Sequence, residues 1–371
     1  MTALLAPAAA PPLPSPSARW QEWLTYGLRW ASVVERAPVV EPVKTTSRTL
    51  TLHAYREAEP GPRWRALYDA TWPAYRRWYI RDGLAARPSL DECRAALSQY
   101  LPELTPTWER LCRLSGDDSV AAQMLSMWGL PAFAVGCSQV VIPGEQPILV
   151  RNYDYDQSLF EAVVASTNYS GHRRVLGTSD LLWGLLDGMN EDGLATSLTF
   201  GGRPGGGEGF GIPIVLRYVL ETCATVEQAV SALRRIPVAQ SYNVALVDTI
   251  GNHATVFVAP QQRAVVSRLD ATTNHRLDLV EHPAHAARFN SVGRLTRLDQ
   301  LRADDTSGEQ LVAAMLQPPL RNSQFEIGFG TLYTAKYEPA AGTATWHWPE
   351  MSWTRRFDDP DGVRTVNLAH P

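Results

Sequence analysis

The feature that most constrains the fold is a pair of runs rich in Val and Ile that flank a short Pro/Gly turn. The first run covers Gly136 to Ile142, the turn covers Pro143 to Gln146, and the second run covers Pro147 to Asp154. Two such runs separated by turn residues indicate an antiparallel hairpin. The chain therefore contains at least one antiparallel sheet, and this hairpin carries one of its four cysteines.

The register of the hairpin decides which side chains lie near that cysteine. Pairing the end of the first run with the start of the second places Cys137 opposite Asn152, and Arg151 and Asp154 within one or two positions of the thiol. Side chains alternate along a strand, so a regular strand would point these two residues to opposite faces. We therefore expect the strand to bend or end near Asn152. A guanidinium lowers the pKa of a neighbouring thiol, and a carboxylate can position a proton or an amine.

Composition limits the classes of partner. The chain has 371 residues, 45% of them hydrophobic and 19% charged, with a formal net charge of −4. This length allows one large domain or two average ones, and the small net charge favours neither nucleic acid nor an anionic membrane surface. The cysteines show no CxxC spacing, which argues against a zinc site or a disulfide framework and suggests a reducing compartment: Cys93, Cys112, Cys137 and Cys223.

Two further patterns are weak candidates for ligand sites. His282 and His285 are close in sequence, but no HExxH motif or third ligand accompanies them, so neither a metal nor a cofactor is expected. The Gly-dense run from Gly201 to Gly211 is not followed by Gly-Lys-Ser/Thr, which argues against a phosphate loop. A mobile loop bordering a site and a plain flexible connection are equally consistent with this run.

The region before the hairpin has a different composition and a different spacing of apolar residues. Residues 1–18 are rich in Ala and Pro and lack a positively charged leader, so we expect a disordered tail in a cytoplasmic protein with no membrane span. From about Arg19 to Trp128, apolar residues recur every three or four positions, which predicts helices. Ser89, followed by Asp91 and Glu92, is a typical helix N-cap.

The hairpin motifs also resemble a known family. Gly-Cys-Ser at 136–138, followed by Arg-Asn-Tyr-Asp at 151–154, is similar to the penicillin acyltransferase-type family of autoproteolytic N-terminal-nucleophile hydrolases, whose relatives include choloylglycine hydrolase and acid ceramidase. The resemblance implies self-cleavage between Gly136 and Cys137. A freed α-amine has a reference pKa of about 7.7–8.0, so it can act as the base for the thiol of its own residue.

The resemblance further implies an architecture. The family has an α+β fold, a four-layer αββα sandwich, preceded by a helical pro-region. Carried over, residues 19–136 form the helical pro-region, which stays bound as a small subunit, and residues 137–371 form the catalytic domain.

Three later positions match the family less closely. The hairpin at 187–200 resembles one in which an Asn near the end helps to hold the oxyanion, but here that position is Thr199, so a backbone N–H or the Thr hydroxyl has to replace it. Asn274, within a Thr-Asn-His motif, is the second candidate oxyanion donor. Arg294, in a Ser-x-x-Arg motif, is a candidate for binding substrate, with Arg288 as an alternative alignment.

The sequence therefore supports an enzyme in which Cys137 attacks the carbonyl of a small N-acyl amide. An acyl-thioester forms, and water or an amine resolves it. One alternative is an unprocessed thiol hydrolase that uses Cys137 with a distant histidine such as His275. Another is a binding protein that retains the fold without catalysis, which the departure at Thr199 favours.

Overall fold

Two β-sheets form the centre of the structure. The computed structural model describes residues 48–133, 135–203, 206–280, 289–304, 306–327 and 329–368. The predicted N-terminal tail, the pair His282 and His285, and the alternative Arg288 lie outside these residues. The strands are β1 (Thr49–Glu57), β2 (Gly136–Ile142), β3 (Ile148–Tyr155), β4 (Val163–Thr167), β5 (Val175–Asp180), β6 (Gly184–Asn190), β7 (Ala195–Phe200), β8 (Tyr242–Val247), β9 (His253–Val258), β10 (Val265–Ser267), β11 (Ala271–Thr272), β12 (Ser323–Gln324), β13 (Phe329–Glu338), β14 (Thr343–Trp348), β15 (Met351–Arg355) and β16 (Gly362–Asn367).

Eight α-helices lie among the described residues. They are α1 (Pro62–Tyr79), α2 (Leu90–Tyr100), α3 (Thr105–Leu114), α4 (Ser119–Leu125), α5 (Ile212–Thr222), α6 (Val226–Arg235), α7 (Ser291–Ala303) and α8 (Gly308–Met315). The predicted cap of α2 is confirmed, because Ser89 accepts a hydrogen bond from Glu92 N while the Glu92 carboxylate accepts one from Ser89 N. Within these residues no helix combines the length and the hydropathy required for a transmembrane span.

The larger sheet has nine strands in the order β10-β9-β8-β7-β6-β5-β4-β1-β16. All neighbours in it are antiparallel except β1 and β4, which are parallel. The second sheet has the order β11-β2-β3-β13-β14-β15, and β12 pairs with β13. The sheets are therefore almost entirely antiparallel, as the hairpin pattern in the sequence predicts.

The two sheets pack face to face, and helices cover their outer faces. Strands β2 and β3 contact β7 and β8 across the interface between the sheets. Helices α5 and α6 contact the nine-stranded sheet at β6 and β9, whereas α7 and α8 contact β2, β3, β11 and β13 of the second sheet. This arrangement is a four-layer αββα sandwich, which confirms the predicted α+β fold class.

In the described part of the segment before Cys137, four helices follow a strand that the sequence analysis missed. In β1, Leu50, Leu52 and Ala54 are buried while Thr49 and Thr51 are exposed. This period of two is the signal of a half-buried strand. Because β1 lies between β4 and β16, this segment is part of the larger sheet as well as a helical layer.

The hairpin itself is confirmed, with a register that differs by one residue from the prediction. Ile142 pairs with Ile148, which places Cys137 opposite Tyr153 rather than Asn152. Strand β3 also continues to Tyr155, so it does not end near Asn152. The turn between the paired residues contains Pro147 as well as the four residues expected, 143–146. This one-residue shift changes the partner of every residue in the hairpin.

Candidate active site

The β2–β3 hairpin has two faces with different surroundings. Its inner face points toward the nine-stranded sheet, where Ser197 of β7 donates a hydrogen bond to Gln139 Oε1 at 2.6 Å. Its outer face points toward α7 and α8, where Val150 packs in one cluster with Leu298. Because side chains alternate along a strand, Cys137 lies with Gln139 on the inner face.

The thiol of Cys137 is held by Arg151. Arg151 Nη2 donates a hydrogen bond to Cys137 Sγ at 3.2 Å, and the guanidinium lies 4.8 Å from the centroid of the Tyr153 ring. The ladder pairs Gln139 with Arg151 and Cys137 with Tyr153, so Arg151 and Cys137 are diagonal neighbours on the same face. Cys137 is 0% exposed. The sequence prediction that Arg151 lies beside the thiol thus agrees with the structure.

Three side chains that the sequence analysis did not identify hold Arg151. Asp187 of β6 forms a fully buried ion pair with Arg151. Tyr333 and Tyr337 of β13 donate hydrogen bonds to Asp187 at 2.6 and 2.5 Å, and Arg151 Nη1 donates to Tyr333 Oη at 3.1 Å. A spacing of four residues on a strand puts both tyrosines on one face, but only the pairing of β3 with β13 brings them to Arg151.

The main chain of Cys137 is held by two other predicted residues. Asn274 Oδ1 accepts a hydrogen bond from Cys137 N at 2.9 Å, and Asn274 Nδ2 donates to Val135 O at 3.1 Å. Arg294 of α7 donates to Cys137 O, to Ser138 Oγ at 2.7 Å and to Asn274 Oδ1 at 2.6 Å. Asn274 and Arg294 therefore hold the main chain on both sides of the Cys137 α-carbon.

Asp154 lies on the outer face, beside Gly136 rather than beside the thiol. Asp154 accepts a hydrogen bond from Thr331 at 2.6 Å, and its Oδ2 is 3.9 Å from Arg294 Nη1. A Cβ atom on Gly136 would lie 2.9 Å from Asp154 Cβ, so this close approach requires glycine at 136. The expectation that Asp154 lies beside the thiol together with Arg151 is not met, because alternation along β3 puts the two residues on opposite faces.

Burial controls ionisation at this site. Burial raises the pKa of the Cys137 thiol, although the charge of Arg151 acts in the opposite direction. Burial also raises the pKa of Asp154, against the charge of Arg294. The sequence analysis expected a lowered pKa for the thiol, because it considered the guanidinium without the loss of water. In the uncut chain the thiol is therefore protonated at neutral pH.

The sequence of the chain matches a known family over most of this structure. Residues 141–353, more than half of the chain, match the model of the family described as acyl-coenzyme A:6-aminopenicillanic acid acyl-transferase. The chain belongs to this family. The match includes Arg151, Asp154, Asn274 and Arg294, and it begins four residues after Cys137. The predicted family is thus confirmed, while the role of Cys137 depends on the geometry described above.

Solved structures similar to this acyl-transferase family member include two bacterial enzymes and one from a nematode. A mutant of the conjugated bile acid hydrolase of Clostridium perfringens has 15% identity and a TM-score of 0.41, covering 62% of this chain and 96% of its own. Penicillin V acylase of Agrobacterium tumefaciens has 17% identity and a TM-score of 0.41, covering 62% and 91%. The Caenorhabditis elegans ortholog of N-acylethanolamine-hydrolyzing acid amidase has 17% identity and a TM-score of 0.42, covering 55% and 93%. No curated protein sequence matches the chain.

Thr199 lies behind the site instead of facing it. Its hydroxyl donates to Thr273 O at 2.8 Å and accepts a hydrogen bond from Asn243 Nδ2 at 2.9 Å. The only hydrogen of the Thr199 hydroxyl is therefore already donated to Thr273 O. This argues against the hydroxyl as an oxyanion donor in this acyl-transferase family member. Thr199 and Asn243 instead hold the turn that presents Asn274, since Asn243 Nδ2 also donates to Thr273 O and His275 O at 3.0 Å.

The histidine proposed for the unprocessed alternative belongs to the same turn. His275 Nδ1 lies 2.7 Å from Ser291 Oγ and 3.3 Å from Thr273 Oγ1. These contacts anchor the turn to the start of α7. The thiol of Cys137 is contacted by Arg151 instead. Among the described residues no group of three or more His, Cys, Asp or Glu side chains is arranged to hold a metal ion.

Proposed function

We propose that the protein is an enzyme that cleaves its own chain between Gly136 and Cys137 and then acts on a carbon–nitrogen amide bond of a small N-acyl compound. Cys137 is the nucleophile, and the released segment remains bound as the small subunit. The main support is that separate buried side chains hold the thiol, the N–H and the carbonyl of this one residue: Arg151, Asn274 and Arg294.

Self-cleavage follows from the burial of the thiol. Cys137 is fully buried, so an external substrate has no access to Sγ in the uncut chain, whereas the carbonyl of Gly136 is directly adjacent. Attack of Sγ on that carbonyl forms a C–S bond and breaks the C–N bond, and the proton of the thiol passes to the departing nitrogen. Water then hydrolyses the thioester, which leaves a carboxylate on Gly136 and a free amine and thiol on Cys137.

The new α-amine then serves as the base. Asn274 Oδ1, which accepts a hydrogen bond from the peptide N–H of Cys137, is placed to accept one from the amine and so to orient it. The amine takes the proton of the thiol as Sγ attacks an amide carbonyl of the substrate. The acyl-thioester that results is resolved by water, which gives hydrolysis, or by a second amine, which gives acyl transfer.

Cleavage also releases a donor for the oxyanion. In the uncut chain Asn274 Nδ2 donates to Val135 O, which lies on the segment that is cut away. Asn274 Nδ2 also donates to Phe200 O at 3.4 Å. Withdrawal of Val135 therefore leaves one of its two hydrogens to donate to the oxygen that becomes negative in the tetrahedral intermediate. One such donor contributes about 10²–10³-fold to turnover in other acyl-transfer enzymes. Arg294 stays bound to Asn274 Oδ1 and keeps the amide in this orientation.

Intact mass spectrometry of the purified protein tests this proposal. We expect two copurifying fragments, 1–136 and 137–371, and a single full-length chain for Cys137→Ala. Cys223→Ala is the matched control, because Cys223 is also buried but lies between α5 and α6, and this variant should still be cut. A wild-type chain that hydrolyses amides while its 136–137 bond stays intact would support the unprocessed alternative. An intact chain without activity on an amide library would support a binding protein.

A further inference from the structure

A cavity of about 290 Å³ lies one side chain away from Cys137. Helix α1 forms one wall, and the segment around Leu159 forms another. Its surface is mainly apolar and aromatic, with contributions from Trp78, Phe133, Tyr155 and Phe160. This is the kind of concave, largely apolar site in which small molecules bind.

Tyr153 separates this cavity from the thiol. Its ring lies 5.6 Å from that of Phe160 and 5.7 Å from that of Tyr155, both of which line the cavity. On its other side it is covered by the guanidinium of Arg151, which holds Cys137 Sγ. Tyr153 is also the cross-strand partner of Cys137. A ligand in the cavity is therefore separated from the proposed nucleophile by the side chain of Tyr153 alone, and its acyl amide has to pass this ring to reach Sγ.

Two carboxyl groups and one phenol form the polar end of the cavity. Tyr75 of α1 donates a hydrogen bond to Glu161 Oε1, and its Oη is 3.4 Å from Asp180 Oδ1. Leu182 N also donates to Glu161 Oε1, at 2.6 Å. By contrast, Glu161 Oε2 is buried and receives no hydrogen bond from any described residue. Asp180 is only 8% exposed, and Glu161 is partly buried, with its Oε2 atom out of contact with water.

Within the described lining of the cavity this pair has no cation, although the charge of Arg151, outside the cavity, acts to lower the pKa of Asp180. The described residues that line the cavity include no Lys or Arg. Burial, together with the proximity of Asp180, raises the pKa of Glu161, and burial raises that of Asp180. Buried carboxylates are costly unless they are paired, so a bound group that brings a positive charge and N–H donors would relieve this cost.

We propose that this cavity binds the substrate of the Cys137 nucleophile, and that the substrate is an N-acyl amide carrying a protonated amine on an apolar or aromatic group. This inference rests on the proposed function. The ammonium donates to Glu161 Oε2 and Asp180, while the apolar part packs against Trp78, Phe133 and Phe160. Ammonium groups also bind favourably to aromatic faces, which fits a cavity walled by aromatic rings. A metal ion is a poorer fit, because two carboxyl groups and a phenol supply few ligands.

Binding is measured first in Cys137→Ala, so that the result does not depend on turnover. The probes are 4-methylbenzylamine and its neutral counterpart 4-methylbenzyl alcohol, titrated calorimetrically. We expect the amine to bind about tenfold more tightly or better, because its charge is held by carboxylates out of water. Glu161→Gln and Asp180→Asn, made in the same background, should each reduce this preference severalfold. Both keep the shape of the side chain and an acceptor for its existing donors.

Glu145→Gln is the control, because Glu145 is an exposed carboxylate in the β2–β3 turn. It should leave the preference unchanged. Equal affinity for the two probes in Cys137→Ala would overturn the proposal. So would a preference for the amine that survives in both Glu161→Gln and Asp180→Asn.

Turnover in the wild-type protein separates this proposal from the one on which it rests. Two p-nitroanilides are compared, one with a 4-(aminomethyl)phenylacetyl group and one with a 4-(hydroxymethyl)phenylacetyl group. A preference in kcat/KM for the aminomethyl compound that is lost in Asp180→Asn supports a substrate subsite. Cleavage and turnover of both compounds without preference would overturn the subsite alone. Selective binding of the amine by Cys137→Ala, with no turnover of either p-nitroanilide by the wild-type protein, would leave the cavity as an amine-binding site and overturn its use as the substrate site of Cys137.

Discussion

The two faces of the β2–β3 hairpin act on the same residue in different ways. On the inner face Arg151 contacts the thiol of Cys137, and Asp187 holds Arg151 from the opposite sheet. On the outer face Arg294 contacts the carbonyl of Cys137 and lies near Asp154. The inner face therefore contacts the thiol of Cys137, whereas the outer face contacts the main chain at Gly136 and Cys137.

Under the proposed function, this separation would let one strand serve both the thiol and the main chain that carries it. Alternation along β3 places a cation on each side of the sheet, one from β3 itself and one from α7. Arg151 is paired with Asp187, whereas Arg294 lies 3.9 Å from Asp154, although the charges of both cations act to lower the pKa of Asp154. Substitutions on the two faces should therefore have different consequences.

The largest effect is expected on the inner face. Arg151→Met removes the donor to Cys137 Sγ and leaves Asp187 buried without its cation. We expect no cleavage and a loss of about 3–5 kcal/mol in the free energy of unfolding, as for other broken buried ion pairs. Urea unfolding and intact mass measure the two quantities. The double variant Arg151→Met/Asp187→Asn should recover much of the stability but none of the cleavage.

A second buried ion pair provides the control for that prediction. Arg217 and Glu221 of α5 are also almost fully buried and lie away from the hairpin. Arg217→Met should lose a similar amount of stability while the surviving folded protein is still cut. If Arg217→Met abolishes cleavage as completely as Arg151→Met, the effect of Arg151 is one of stability and the special role of the inner face is refuted.

The next effect concerns the residue that links the two faces. Asn274→Asp keeps an oxygen to accept from Cys137 N and Arg294, and it removes the Nδ2 donor. Because that donor is assigned to the oxyanion, turnover of the folded protein should fall by about 10²–10³-fold. Stability should also fall, because the new oxygen faces Val135 O and Phe200 O, which lose their donor. Amide hydrolysis and thermal unfolding test the two parts. Turnover at the wild-type rate would show that Asn274 does not bind the oxyanion.

A smaller effect is expected from the acid on the outer face. Asp154→Asn keeps the shape of the side chain beside Gly136 and removes its charge, so we expect cleavage to slow by about tenfold, within the range for loss of a group that positions or transfers protons. Asp69→Asn is the control, since Asp69 forms an exposed ion pair with Arg65, and pairs of this kind add little to stability. Equal cleavage rates in both variants would reduce Asp154 to a structural residue.

The pH dependence of stability gives a second test of Asp154. Its pKa in the folded protein is raised, so the folded state keeps a proton that the unfolded state releases above a pKa of about 3.9. This contribution to stability is present at low pH and is lost as the pH rises. Asp154→Asn should therefore become more stable relative to the wild type as the pH increases from about 4. A difference that is constant with pH would contradict the raised pKa.

The smallest effect is expected behind the site. Thr199→Val removes a hydrogen bond to Thr273 O, but Asn243 Nδ2 still donates to that oxygen. We expect a loss of about 0.5–1.5 kcal/mol in stability, typical of one hydrogen bond, and a change in kcat below the effect of Asn274→Asp. A loss of turnover as large as that of Asn274→Asp would restore the Thr199 hydroxyl as an oxyanion donor.

Short-range patterns in the sequence predicted much of this arrangement. The Val and Ile runs predicted the hairpin, and the family resemblance predicted the four layers and directed attention to Cys137, Arg151, Asn274 and Arg294. The register was wrong by one residue, because the number of residues in the turn is not determined by the hydrophobic pattern alone.

The remaining differences arise from contacts between distant parts of the chain. Asp187 reaches Arg151 because β6 and β3 belong to different sheets that pack face to face. Tyr333, which also contacts Arg151, lies 182 residues from it in sequence. The sign of the pKa change at Cys137 depends on complete burial, which only the packed structure reveals. Strand β1 is a different case, since its alternation of apolar and polar residues was visible in the sequence.

Strand β1 also determines how a cut chain would behave. It pairs with β4 on one side and with β16 on the other, and among the described residues β16 has no other partner strand in the sheet. After a break at 136–137, strand β1 of the first fragment would therefore remain hydrogen-bonded between β4 and β16 of the second fragment. Release of the small subunit would require the sheet to open and its C-terminal strand to come free. Dilution alone should not separate the fragments, and once separated in denaturant they should reassemble far more slowly than the uncut chain refolds.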